Sequence, residues 1–467
     1  MGPSVPPSPV SPPLHTGNDG HPLHLRDPGV RADFAPILPS FMHTTTPLAA
    51  VAVSEHLDTR TAATEVADRL FDELGTSPCD LLLVFGSYHH RSAFDDAAAI
   101  VRRTISPQAL VGVTAEGVIG DGREMEGLAG LSALALRLPG ATITPWLSTP
   151  EDPMPLSNPQ AVRERIGFAQ NPDRFRGTLL FGDPFTTPIT RLLPAITNCG
   201  TVNQSASVES DEADQSSIVN PQSSIRSVPV LGGMASGASQ PGLNVRVVND
   251  RAISAGAVGV GLAGDFNIDV VLSQGCRPIG EPVVITKCQQ NLVLELGGRK
   301  AMIVLQEMAQ SLGDADKRLL SRGLLVGTVI NEYKQRFGRG DFLVRNVMGF
   351  DQRVGGIAIG EMCKVGQTIQ FHVRDANTAT EDLQLLLDAQ MVKEEPPFAA
   401  MLFSCNGRGH RLFNEANHDV NIIRRRFGGD MPLAGFFAAG EFGPIGDRSY
   451  LHGHTASLAL LRGMQGD

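Results

Sequence analysis

Aromatic residues are scarce in this chain, at 5% of 467 residues with a single Trp. No apolar run comes near the ~20 residues that a membrane-spanning helix needs. The N-terminus has no basic stretch followed by an apolar one, which argues against a secretory signal. Blocks of Lys and Arg are missing too, and the net charge is −10. An acidic chain without a basic face is repelled by phosphate backbones and has no polybasic patch for an anionic membrane. None of the six cysteines (Cys79, Cys199, Cys276, Cys288, Cys363 and Cys405) forms a C-x-x-C pair. Scattered cysteines in a long chain read as reduced thiols of the cytoplasm, with neither a disulfide framework nor a zinc knuckle. The expectation is a cytoplasmic protein with no cofactor, no metal, no nucleic-acid partner and no membrane partner.

What the chain does have is glycine, 50 residues of it, and proline, 32 residues. Eleven prolines fall in the first 50 positions, so residues 1–48 read as a disordered Pro-rich tail. Order is expected from there on. Residues 59–75 carry a helical stripe of Ala63, Val66, Leu70 and Leu74 ended by Gly75. A buried strand follows over 80–87, then a helix over 94–105, a strand over 109–120 and another over 128–138. A similar unit comes next: helix 161–170, strand 177–184, helix 189–196, strand 229–237, and a hairpin turning at Asn249 and Asp250. LVGVTAEG (110–117) and VLGGMASG (230–237) are alike, which points to a degenerate internal duplication. The Ser- and acid-rich stretch 201–227 has no periodicity and reads as a disordered insertion. Beyond it the pattern gives strands over 268–276 and 282–298, a helix over 299–312, a meander over 324–375, and a helix over 376–391 capped by Asn377 or Thr378. The fold expected is α/β, in two lobes of mixed, largely antiparallel sheets layered with helices, over 49–267 and 268–460.

Gly259, Gly261 and Gly264 match G-x-G-x-x-G, but they lie in the second strand of a hairpin with another strand after them. Without a helix N-terminus the spacing cannot hold a pyrophosphate. The run from Phe398 to Thr455 is more promising. Strand-like segments there end among glycines in Cys405, Asn406, Arg408, His410, Glu441, Arg448 and His452, and Cys276 sits in the similar S-Q-G-C-R-P-I-G. A thiol beside Arg suggests a nucleophile, yet a catalytic Cys also needs a base and an oxyanion hole. His452 and His454 could share one side of a strand, but no third ligand stands at metal-site spacing. Glu441 could receive an ammonium group, and Arg408 and Arg448 a carboxylate. The plain alternative is an internal Glu–Arg ion pair closing the sheet ends.

GVTAEGVIGDGREMEG (112–127), VLGGMAS (230–236), SQGCRPIGEPVVIT (273–286), FHVRDANTATEDL (371–383), FSCNGRG (403–409) and the glycine-rich segment 432–457 occur in this order. Together they resemble FIST proteins, with FIST N-terminal and FIST C-terminal domains in tandem and no F-box. The resemblance implies a stand-alone sensory or signal-transduction module that binds a small ligand, such as an amino acid or a similar polar metabolite, and acts on a separate signalling partner. It transfers no catalytic residues. The alternatives are a Cys-dependent hydrolase or transferase and a protein-interaction scaffold. The expected ligand contacts are Cys405, Asn406, Arg408, His410, Glu441, Arg448, His452 and Cys276.

Overall fold

A computed structural model describes residues 46–200 and 227–464. The expected Pro-rich tail (all but its last three residues) and nearly all of the 201–227 insertion lie outside the described residues. Among the described residues the strands form three six-stranded sheets and one seven-stranded sheet. The expected α/β class with mixed sheets is what the chain adopts.

The three six-stranded sheets share one plan. In the first repeat, strand Leu48–Ser54 leads to helix Thr59–Leu74, inner strand Leu81–Ser87, helix Phe94–Ile105 and inner strand Ala109–Ala115; hairpin Gly117–Gly120/Arg123–Glu126 and closing strand Leu131–Arg137 complete it. The second repeat runs through Thr142–Ser148, helix Pro159–Arg165, Phe175–Gly182, helix Ile189–Asn198, Val230–Met234, hairpin Arg246–Val248/Arg251–Ile253 and Ala257–Ala263. The third uses Phe266–Gln274, helix Ala376–Gln390, Pro397–Cys405, helix His418–Phe427, Leu433–Ala438, hairpin Glu441–Ile445/Arg448–His452 and Thr455–Gly463. In every repeat the two inner strands pair parallel and the other pairings are antiparallel. The expected duplication is thus a triplication. The third copy of the glycine motif is LAGFFAAG, 433–440. An inserted seven-stranded sheet with helices Ala301–Ser311 and Asp314–Leu320 separates the first strand of the third repeat from its first helix.

Each hairpin leaves its own repeat. The first pairs with the third sheet (Phe436 opposite Val118), the second with the first sheet (Val113 opposite Arg246), and the third with the second sheet (Gly233 opposite Glu441). The exchange closes a ring, so each sheet is completed by a neighbour. It also explains why 109–120 is not one strand: Ala109–Ala115 and Gly117–Gly120 belong to different sheets.

Equivalent residues meet where the repeats converge. Phe181 lies 5.9 Å from Phe85 and 6.0 Å from Phe403, and Phe436 packs on all three at 5.5–5.6 Å. Such aromatic clusters add edge-to-face attraction to burial. Helices cover the outer faces. Helix Thr59–Leu74 buries Ala62, Ala63, Val66, Ala67, Leu70 and Leu74, starts at the Asp58 cap and stops at Gly75 with φ 57°. Helix Ala376–Gln390 is capped by Asp375, which accepts from Asn377 N–H, and not by Asn377 or Thr378. No helix among the described residues is long and apolar enough to cross a membrane.

Candidate functional site

Ser87 and Cys405 end inner strands of the first and third repeats, and Asp183 directly follows that of the second, each one step past a Phe-Gly or Phe-Ser dipeptide. The matching hairpin residues, set by the equivalent cross-sheet pairings, are Val118, Arg246 and Glu441. The first corner is satisfied through backbone: Ser87 and Gly130 exchange hydrogen bonds. The second is a fully buried Asp183–Arg246 pair at 3.3 Å, although Arg246 keeps two unpartnered nitrogens. The third holds a thiol and a carboxyl instead.

Glu441 is fully buried; one carboxyl oxygen accepts from Thr455 N–H at 3.2 Å, and Oε1 has no protein hydrogen-bond partner. Burial pushes its carboxyl well above the usual range, against the pull of Thr455 N–H, the Cys405 thiol and Arg408. Burial, then Glu441, pushes the Cys405 thiol up to about 12. Burial does the same to Cys276, which sits near Arg374, Arg408 and Glu441. Neither sulfur has the lowered pKa of an activated nucleophile.

Arg408 is also fully buried, but its partner is not Glu441. Its Nε and Nη2 donate to both oxygens of Asp419 at 2.8 Å, a bidentate fork. The Glu–Arg closure considered from sequence is not made. Asp419 belongs to helix His418–Phe427, which the sequence reading did not identify, although Val420, Ile423 and Phe427 have its spacing. Burial alone would raise the Asp419 carboxyl; Arg408 and His418 outweigh it and hold that carboxyl below the usual range. His418 stacks on Phe413 at 3.4 Å, and the Arg408 guanidinium lies 5.3 Å from the same ring centre. Glu124, from the hairpin of the first repeat, accepts from Val420 N–H. Burial, then Asp419, raises its carboxyl to about 8.

Two more groups complete the corner. Arg374 ends a strand of the inserted sheet and donates from Nη2 to the Gly407 carbonyl, while its Nε is unpartnered. His454 bonds Asn346 through Nε2 at 3.0 Å and leaves Nδ1 unpartnered. Burial, then the two arginines, lowers its imidazole to about 4. Gly275 allows the close approach here, since a Cβ there would lie 2.9 Å from the His454 carbonyl oxygen and 3.1 Å from Arg408 Nη1. Arg374, Asp419 and Glu124 were missed as site residues because nothing local marks them. Arg374 lies in the FHVRD segment, one of those that carry the family resemblance.

Of the expected contacts, Cys405, Arg408, Glu441 and Cys276 come together here. Asn406 is adjacent, with Oδ1 4.0 Å from Cys405 Sγ. His410 points outward, and its N–H binds Glu126. His452 is buried with Nε2 on the Gly443 carbonyl at 2.9 Å, apart from His454. Arg448 is exposed on the rim of a separate cleft. That cleft, of about 790 Å³, lies between helix Ile189–Asn198, the inserted sheet and strand Arg448–His452. No group of three or more metal-ligating side chains occurs among the described residues.

The carboxyls and imidazoles pull stability in opposite directions with pH. Glu441 and Glu124 keep a proton in the fold where the unfolded chain has lost it. Their contribution is full below about 4.5 and is lost as pH rises through the folded values. His372, His452 and His454, lowered to about 4 by burial, contribute above about 6.5 and lose that contribution toward pH 4. Between about pH 6.5 and 8 the imidazole contribution is complete and Glu124 still loses stability, at most about 1.4 kcal/mol per pH unit for each such carboxyl. Glu441→Gln is expected to flatten the fall in urea midpoint as pH rises above about 4.5. An unchanged slope would contradict the buried, protonated Glu441.

A family model described as the FIST N domain matches residues 80–299, and one described as the FIST C domain matches 301–444. The chain belongs to the FIST family, whose domains are generally taken as small-ligand sensory domains in signal transduction. Among its relatives, an uncharacterized protein of Mycobacterium tuberculosis is 35% identical over 418 residues, covering 88% of this chain and 98% of the relative. One of Mycobacterium bovis is 36% identical over 420 residues, with the same coverage. A crystal structure of cyanuric acid hydrolase from A. caulinodans covers 90% of this chain and 100% of its own at 9% identity. Its TM-score of 0.32 is too low to carry fold or activity across.

Proposed function

We propose that this protein is a cytoplasmic sensory module whose ligand is a small zwitterion of the amino-acid class, held among Arg374, Cys405, Arg408, Glu441 and His454. One observation carries the reading. Four buried polar atoms from four different segments, Arg374 Nε, Arg408 Nη1, His454 Nδ1 and Glu441 Oε1, lack protein partners, and all four residues lie near Cys405. Each such atom costs about 1–3 kcal/mol if left unsatisfied. A ligand carboxylate accepts from the two arginines, and a ligand ammonium donates to Glu441 and His454. Cys405 and Cys276 then act as neutral walls. The ammonium favours ionised Glu441, so binding releases a proton and tightens as pH rises. A signalling partner on a separate chain receives the output.

The test is a thermal-melt screen of the full chain with the amino acids, and with the amine and carboxylate analogues that lack one pole. An amino acid at a hundredfold excess over its Kd is expected to stabilise by about 2.7 kcal/mol. Either analogue should do much less, and Arg374→Met and Glu441→Gln should each abolish the shift. A flat response to every amino acid would sink the reading.

A further inference from the structure

The 790 Å³ cleft is a different environment from the corner just described. Its walls are mostly apolar: Leu193 and Pro194 on helix Ile189–Asn198, Met348 on the inserted sheet, Met362 in the loop after its strand Gly356–Ile359, and Tyr450 and Leu451 on strand Arg448–His452. Its volume falls in the ~300–1,000 Å³ range of small-molecule sites, which pair apolar walls with a few polar groups. Met348 and Met362 remain 68% and 65% exposed. Large apolar side chains exposed beside one another mark a binding surface more often than single ones do, and methionines reshape readily around a guest.

The charge in the cleft is specific. Arg345 is occupied: its Nε meets Glu361 at 3.0 Å and its Nη1 donates to the Val344 carbonyl. Arg448 also lines the cleft and forms no ion pair among the described residues. The lining therefore holds Arg345, Arg448 and Glu361, with one positive charge in excess. We infer that this cleft is a second binding site, for a small amphipathic anion with an apolar body and one carboxylate. The body lies between the helix and the methionines, and the carboxylate meets Arg448 at the rim, where the fork geometry of guanidinium suits it. The occupant touches the second repeat, the inserted sheet and the hairpin of the third repeat at once, so it bridges segments matched as FIST N and FIST C. This site does not depend on the zwitterion reading.

Anilinonaphthalenesulfonate, an aromatic body with one anionic group, is a suitable probe for titration into the full chain. Saturable binding of one probe per chain is expected, with decanoate displacing it at least about tenfold better than the equally long, neutral decanol. Arg448→Glu and Met362→Glu should each weaken probe binding by about tenfold or more. Both side chains are exposed, and an unchanged melting temperature shows that the fold is intact. Arg374→Met and Glu441→Gln should leave probe binding alone. The proposal is overturned if decanol competes as well as decanoate, if neither cleft substitution weakens binding, or if the Arg374 or Glu441 variant does.

Discussion

Arg408→Met is expected to lower unfolding free energy by about 3–5 kcal/mol, the cost of removing one partner from a buried ion pair. Arg408 is 0% exposed, and its fork satisfies both oxygens of Asp419, which is itself 2% exposed. Without the guanidinium, Asp419 keeps contacts from His418 and Ser404 but loses its compensating charge. The carboxylate must then take a proton or remain buried and charged, and either costs stability. A second substitution, Asp419→Leu, should recover much of the loss, because an apolar pair of similar volume is often no worse than the ion pair it replaces. Urea unfolding of the single and double variants measures both terms. A single-variant loss under about 1 kcal/mol would mean that the corner is wetter than its burial indicates.

Gly435→Ala should be at least as damaging, with a loss of about 3 kcal/mol or more. A Cβ at Gly435 would lie 1.8 Å from the Leu402 carbonyl oxygen and 2.7 Å from its carbon, on the neighbouring inner strand. Both atoms are backbone in a fully buried parallel pair, so neither can swing aside as a side chain could. Overpacking a core typically costs about 1–3 kcal/mol even when side chains can adjust. The same position in the other repeats forms a series. Gly232 would meet the Leu180 carbonyl at 2.2 Å and has φ 119° as well, and Gly112 would meet the Val84 carbonyl at 2.8 Å. Gly112→Ala is expected to be the mildest of the three. Denaturation midpoints of the three alanine variants test the ranking. Equal, small losses would show that the inner strands can part without cost.

The glycine series also explains how much of the fold was legible. LVGVTAEG and VLGGMASG look alike because each inner strand approaches its parallel partner too closely for a Cβ. LAGFFAAG obeys the same constraint, but its bulkier Phe436 and Phe437 and the intervening inserted sheet obscure the likeness. Most helices and strands were readable because 3.6-residue and two-residue periodicities are local. The Asn249–Asp250 turn was readable because its residues favour the backbone conformation it needs, with Asn249 at φ 50°. Helix His418–Phe427 was passed over, and with it the partner of Arg408.

For the site, sequence alone brought Cys405, Arg408, Glu441 and Cys276 into one argument, since each follows or begins an apolar run beside glycine. It could not say that Arg408 pairs with Asp419, that His452 binds the Gly443 carbonyl, or that Arg448 faces another cleft. The Arg408 pair and the placement of Arg448 depend on which elements pack together, and the His452 contact on the register within its own hairpin. The alternation of a strand determines which residues share a side, and not what lies opposite that side. The hairpin exchange shows this most clearly. Each hairpin has the same local pattern whichever sheet it completes, so its own residues determined that it forms. Only the ring of three repeats, packed around Phe85, Phe181, Phe403 and Phe436, decided where it pairs, and so placed Glu441 near Cys405 in a buried corner.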